Sequence, residues 1–214
     1  MNSILQPFNY AVLIGCLLGA GLGNKAMYWI DSPQLWVFQG GMQQFFLGGQ
    51  SMVGGLVGGY IGVELAKHCV GLRTSTGDAF VFPILLGLII GRVGCFLAGL
   101  QDATYGLPTN LPWAVDFGDG VPRHPTQLYE IALTLCLWRY LRGVRPQLTH
   151  APGLLFKIFM ATYLLWRLVV DLLKPVPYAY ALGLSGIQWV CVITLVFYAP
   201  LLIRQWRQSR IVPA

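Results

Sequence analysis

The stretch Val81–Gly99, VFPILLGLIIGRVGCFLAG, is apolar throughout except for one arginine, Arg92. A second run, Leu154–Leu173, LLFKIFMATYLLWRLVVDLL, carries Arg167 in its second half. Apolar runs of ~17–25 residues are long enough to cross a bilayer as helices. A guanidinium in the hydrocarbon core costs at least ~2.5–3.5 kcal/mol, so it persists with a partner or a task. These two runs decide the fold class, and their two arginines raise the question of function.

The rest of the chain agrees. Of its 214 residues, 56% are apolar and 10% charged; soluble domains carry about 25% charged residues. Further runs at Phe8–Tyr28, Gly48–Ala66, Gln127–Leu141 and Leu182–Ile203 bring the expected spans to six. The fourth, Gln127–Leu141, is short and is expected to begin in the headgroup layer. Lys67, Arg73, Arg139, Arg142, Arg145, Arg204, Arg207 and Arg210 then fall on one face, which the positive-inside rule makes cytoplasmic. The expectation is an all-α polytopic membrane helix bundle of about six transmembrane helices. Both termini are cytoplasmic, and residues 1–214 form a single integral membrane domain. The formal charge of +6 is explained by these loops, and no nucleic acid partner is expected.

Small residues recur at helical spacing in the first three spans: Gly15, Gly19, Gly23; Gly54, Gly58, Gly62; Gly87, Gly91, Cys95, Gly99. This small-xxx-small pattern lets helix backbones approach closely. The five cysteines have no paired spacing, so neither a disulfide framework nor a metal site is expected, and no cofactor is implied. Leu13-Ile14-Gly15-Cys16 matches a lipoprotein cleavage box, yet no Lys or Arg precedes it, so no cleaved signal is expected. On the outer side, Ile30–Leu47 carries aromatic residues suited to the interface, and Leu100–Thr126 is a long loop rich in Pro, Gly and Asp.

Polar residues gather at one level. Counted from the outer ends of their spans, Arg92 and Arg167 both lie roughly 10 Å deep at 1.5 Å per residue. Tyr163, Arg167 and Asp171 share one helix face. Gln127 and Glu130 open the fourth span, Gln188 lies early in the sixth, and Gln50 and Ser51 stand at the outer N-terminus of the second. Two readings follow: a clamp for an anionic lipid headgroup, or internal ion pairs Arg167–Asp171 and Arg92–Glu130 that hold the helices in register.

At Arg123-His124-Pro125-Thr126-Gln127-Leu128-Tyr129-Glu130 the chain resembles the R-H-P-[ST]-Q-L-Y-E segment of bacterial prolipoprotein diacylglyceryl transferases. Gly48–Gly58 is similar to that family's G-G-M-S-x-H-G-G-x-x-G. Gly91–Phe96 resembles the start of its G-R-x-G-N-F-x-N-x-E signature, and Tyr163 and Arg167 its Y-x-x-x-R. The resemblance implies transfer of the diacylglyceryl group of phosphatidylglycerol, a phospholipid substrate, to the lipobox cysteine thiol of a lipoprotein precursor peptide. It implies a multi-pass enzyme of the bacterial plasma (inner) membrane, with its active site facing the outer leaflet of the bilayer. Arg92 and Arg167 would serve the phosphate. Gln50, Ser51, Gln127, Glu130, Tyr163, Asp171 and Gln188 would line the substrate site. The sequence departs from the pattern at Val53, where the family has histidine, at Cys95 and Ala98 for its asparagines, at Leu100 for its glutamate, and at Asp171 for a second glutamate. The family's first span has no counterpart in the resemblance. His124 is then the nearest candidate base, with a local structural role as its other reading. Cys95 reads as a small packing residue or a nucleophile, Asp116 and Asp119 as turn residues. Alternatives are a relative that transfers a phospholipid-derived group to another acceptor, and a non-catalytic lipid-binding membrane protein.

Overall fold

A computed structural model of the protein describes residues 7–33, 49 and 51–211. Gln50 and most of the Ile30–Leu47 connection lie outside the described residues. The described chain is mostly helical: α1 Pro7–Asp31, α2 Met52–Cys69, α3 Val81–Ala98, α4 Thr126–Val144, α5 Leu154–Val170 and α6 Gly186–Ile211. Each expected run corresponds to one helix. Three meet both the length and the hydropathy of a membrane span: Tyr10–Asp31, Gly77–Asp102 and Gly186–Ser209, with mean hydropathies of 1.3, 2.3 and 2.0. The others have 18, 19 and 17 residues.

The chain divides into two compact units, Met1–Thr74 with Val176–Thr194, and Ser75–Pro175 with Leu195–Ala214. In the first unit α1 and α2 form an antiparallel hairpin in backbone contact. A Cβ at Gly19 would strike the Gly58 carbonyl oxygen, one at Gly23 that of Gly54, and one at Gly15 that of Gly62. Here the glycine pattern has its expected cause. It does not extend to Gly87, which has open space around it, while Gly99 ends α3 at φ +60°. The Ser51 hydroxyl accepts from Gly54 N at the start of α2, and Ser51 N donates to Asn24 Oδ1. The sequence Ser185-x-x-Gln188 is a capping box for α6: Ser185 N donates to Gln188 Oε1 (2.9 Å) and Gln188 N to Ser185 Oγ (3.1 Å). Asp31, the last residue of α1, accepts from Ile187 N (3.2 Å), and Tyr180 Oη donates to Ile30 O. The end of α1 and the start of α6 therefore share one side.

In the second unit α3, α4 and α5 alternate in direction. Phe82 and Trp138 meet edge to face at 5.4 Å, with Arg145 over the Phe82 ring. The start of α3 thus lies beside the end of α4. Asp78, in the 3-10 turn before α3, accepts from the backbone N–H groups of Gly153 (2.6 Å) and Phe156 (2.9 Å). An anion at a helix N-terminus is favoured by the dipole, so this contact ties the starts of α3 and α5 together. Near the other end of α6, Gln205 accepts from Lys157 Nζ and donates to Pro152 O. Buried positions form stripes: Val81, Leu85, Leu88 and Arg92 on α3; Gln127, Glu130, Thr134, Leu137 and Leu141 on α4. Opposite the α3 stripe, Leu86, Ile90, Val93 and Leu97 are exposed, a face that hydrocarbon accommodates and water does not.

Residues 103–125 form a built loop. Strands β1 Val115–Asp116 and β2 Pro122–Arg123 pair antiparallel. Asp116 Oδ1 accepts from the N–H groups of Gly118, Asp119 and Gly120, and Arg123 forks onto Asp119 at 2.6 and 2.7 Å. The guanidinium also stacks over Tyr105 at 4.9 Å. Leu107 N donates to Leu173 O (2.7 Å), fastening the loop to the segment after α5.

Candidate functional site

Glu130 is the hub of a buried charge cluster. Its Oε2 lies 2.6 Å from Arg92 Nη2. Its Oε1 lies 3.0 Å from Arg167 Nη1 and 2.7 Å from Lys174 Nζ. Arg167 Nη2 is 3.0 Å from Asp171 Oδ1, one turn further on. All five residues are buried, none more than 9% exposed. Three cations face two carboxylates, which leaves one net positive charge. A buried pair repays its desolvation only with good geometry and further hydrogen bonds; here one carboxylate is shared by three donors.

The helices explain the convergence. Arg92 ends the buried stripe of α3, Glu130 stands one turn into α4, and Arg167 lies near the end of α5. Because the helices alternate in direction, all three reach the same end of the unit. Asp171 opens the 3-10 turn Asp171–Leu173 that continues α5. Tyr163 is buried one turn before Arg167 and stacks on Phe159 at 6.2 Å. Lys174 was not among the residues expected at the site, because it follows the apolar run. Its signal was its position seven residues after Arg167, two turns along the same face.

Gln127, one turn before Glu130, is fully buried. Its Nε2 donates to Thr104 Oγ1 (3.2 Å), and the Thr104 hydroxyl in turn donates to Asp102. Asp102 is the acid that follows the departure at Leu100. Arg92 Nη1 also lies 3.9 Å from Cys95 Sγ, where the family pattern has asparagine.

His124 precedes α4 in the loop. Its Nδ1 lies 3.2 Å from Tyr129 Oη, which also accepts from Trp113 Nε1 (2.8 Å). Its backbone is bonded on both sides, to Gly106 and Leu107. The ring is half-buried, and Nε2 makes no hydrogen bond among the described residues. Ser51 and Gln188 belong to the other compact unit, where both serve as helix caps. Val53 is buried in α2, 1% exposed, so an apolar side chain stands where the family has an imidazole.

The exposed apolar faces and the long apolar helices are those of a membrane protein, and its buried charges converge on one carboxylate. The sequence model of prolipoprotein diacylglyceryl transferases matches residues 2–204. A phosphatidylglycerol–prolipoprotein diacylglyceryl transferase of Bordetella parapertussis is 34% identical over 206 residues, covering 88% of this chain and 72% of that protein. The like-named protein of Solidesulfovibrio magneticus is 31% identical over 217 residues, covering 94% of this chain and 76% of its own. The chain belongs to the prolipoprotein diacylglyceryl transferase family, as the octapeptide Arg123–Glu130 suggested, and its class of activity is group transfer.

Proposed function

We propose that the protein moves the diacylglyceryl group of phosphatidylglycerol onto the lipobox cysteine of a lipoprotein precursor. The observation that carries this reading is the convergence of Arg92, Arg167 and Lys174 on Glu130 in a chain of this family. In the reaction the cysteine sulfur attacks the terminal glycerol carbon of the diacylglyceryl group. The carbon–oxygen bond to phosphate breaks, and the oxygen leaves with its electron pair as glycerol phosphate. A thioether forms, and the thiol proton goes to a base.

The chemistry needs charge stabilised on the departing phosphate. Guanidinium groups suit this because their planar fork binds two phosphate oxygens and stays charged. A cluster with one net positive charge matches one phosphodiester. Preorganised charge of this kind is often the largest catalytic contribution. For the base, His124 is the candidate: its Nε2 makes no hydrogen bond among the described residues, whereas His68 lies at the end of α2 and His150 Nε2 donates to Ser209 O. Glu130 and Asp171 hold the cations in place, with Tyr163 and Gln127 of the same unit as substrate contacts.

We read all six helices as spans with both termini cytoplasmic and the cluster toward the outer leaflet of the plasma membrane. This is favoured by the alternating directions within each unit and by the shared side of the α1 end and the α6 start. It is favoured too by Arg139 and Arg142, toward the end of α4 away from Glu130, and by Arg204 and Arg207, toward the end of α6 away from its capping box. The precursor peptide and the lipid would then meet at the outer face.

Purified protein given phosphatidylglycerol and a lipobox peptide should yield a thioether-linked diacylglyceryl peptide by mass spectrometry. Arg92→Ala and Arg167→Ala should each lower kcat/KM by about 10²–10³-fold or more. Absence of product from wild type that binds both lipid and peptide would overturn the reading. A second reading, transfer to a different acceptor, draws on the buried Val53. It predicts altered cellular lipids on deletion without loss of lipoprotein thioether.

A further inference from the structure

We infer that Gln127 accepts a hydrogen bond from a hydroxyl of the lipid headgroup, and so selects a glycerol headgroup over one lacking hydroxyls. The inference rests on the proposed transferase reading and deepens it.

The orientation of the Gln127 amide follows from a hydrogen-bond chain. The Thr104 hydroxyl has one hydrogen, and it goes to the Asp102 carboxylate, which only accepts. Thr104 Oγ1 can therefore only accept from its other neighbour. The Gln127 side chain must present its NH₂ there, at 3.2 Å. Its carbonyl oxygen Oε1 is consequently turned the other way. That oxygen is buried and has no hydrogen-bond partner among the described residues.

A buried acceptor without a donor is costly, and native interiors rarely tolerate one without cause. Gln127 lies on the buried stripe of α4, one turn from Glu130, on which three cations converge. A phosphate gripped by those cations would carry its alcohol headgroup within one helical turn of the orphaned oxygen. The ligand group that fits is a hydroxyl donor close to a phosphodiester, which phosphatidylglycerol offers. A site built to bond a hydroxyl rejects an analogue lacking it strongly, because its own polar atom stays unpaired. Thr104 acts as a positioning residue, since its full hydroxyl holds the amide in one orientation.

The test compares binding of phosphatidylglycerol and phosphatidylethanol to the purified full chain, measured as an affinity ratio by native mass spectrometry without acceptor peptide. Wild type should favour phosphatidylglycerol about tenfold or more. Gln127→Leu should bring the ratio near one, and Thr104→Val should lower it. A wild-type ratio near one overturns the inference, and this needs no variant. So does a Gln127→Leu protein that keeps the wild-type ratio, the result expected if Gln127 only fills space. The same samples are assayed for thioether transfer. A wild-type preference that Gln127→Leu abolishes, with no transfer by wild type, supports the headgroup contact and overturns the proposed activity.

Discussion

Replacing Glu130 by glutamine keeps its volume and removes its charge. Lys174 Nζ and Arg167 Nη1 both bond Glu130 Oε1, at 2.7 and 3.0 Å. The two nitrogens are therefore no further apart than those distances end to end. Two like charges ~5–6 Å apart repel by about 3 kcal/mol at an effective dielectric constant of ~20. In wild type the shared carboxylate offsets that repulsion; in Glu130→Gln it stands exposed. Breaking a buried ion pair from one side costs about 3–5 kcal/mol, and Glu130→Gln should fall in that range. Lys174→Met in the Glu130→Gln background restores the net charge of the cluster and should recover part of the loss. The coupling energy between the two positions should be about 1.5–3 kcal/mol. Denaturant titration of the four proteins in mixed micelles measures it. A coupling below about 0.5 kcal/mol, or Glu130→Gln costing under about 1 kcal/mol, would refute the view of Glu130 as the cluster's hub.

Gly58→Leu should separate α1 from α2, because a Cβ there meets the Gly19 carbonyl oxygen. The cost is about 3 kcal/mol, whereas Gly21→Leu, which points into open space, should be near neutral in the same titration. Leu182 is 87% exposed and has φ +62°. Leu182→Asn should raise stability by about 0.5–1 kcal/mol, since asparagine tolerates the left-handed region better; a lower unfolding midpoint would count against it. The Arg123 fork holds the Asp119 carboxyl below its ordinary value. A depressed carboxylate pKa contributes stability above the ordinary aspartate value and loses it as pH falls through the depressed one. Asp119→Asn should therefore be less stable than wild type at pH 7, with the gap closing under acid; a gap that is the same at both would be the wrong result.

Much of the helical framework was legible because apolar runs bounded by Pro, Gly and charge leave few choices. The ends were less so. α1 continues through Asp31 because that carboxylate is used by the first turn of α6, a long-range contact no local pattern announces. α4 runs on to Val144, past the apolar run, because its last turns carry arginines that helices tolerate well at their C-termini. Glycine periodicity identified the α1–α2 contact, yet the same spacing at Gly87 leads to open space; periodicity names a face without naming what covers it.

At the candidate site, depth counting brought Arg92 and Arg167 to one level, but it could not reveal that both meet the same residue. Glu130 becomes a hub only through three helices at once. Lys174 was missed because it lies beyond the hydrophobic run, where the break in composition hid the helical phase. The Gln127 amide could not be oriented from sequence at all, because its orientation depends on Thr104 and Asp102 across the loop.

The measurement that bears most directly on the central claim is an experimental structure of the protein with phosphatidylglycerol in a lipid nanodisc. The account predicts lipid phosphate oxygens about 2.7–2.9 Å from the guanidinium nitrogens of both Arg92 and Arg167. A phosphate held elsewhere, with both arginines still bonded to Glu130, would contradict it.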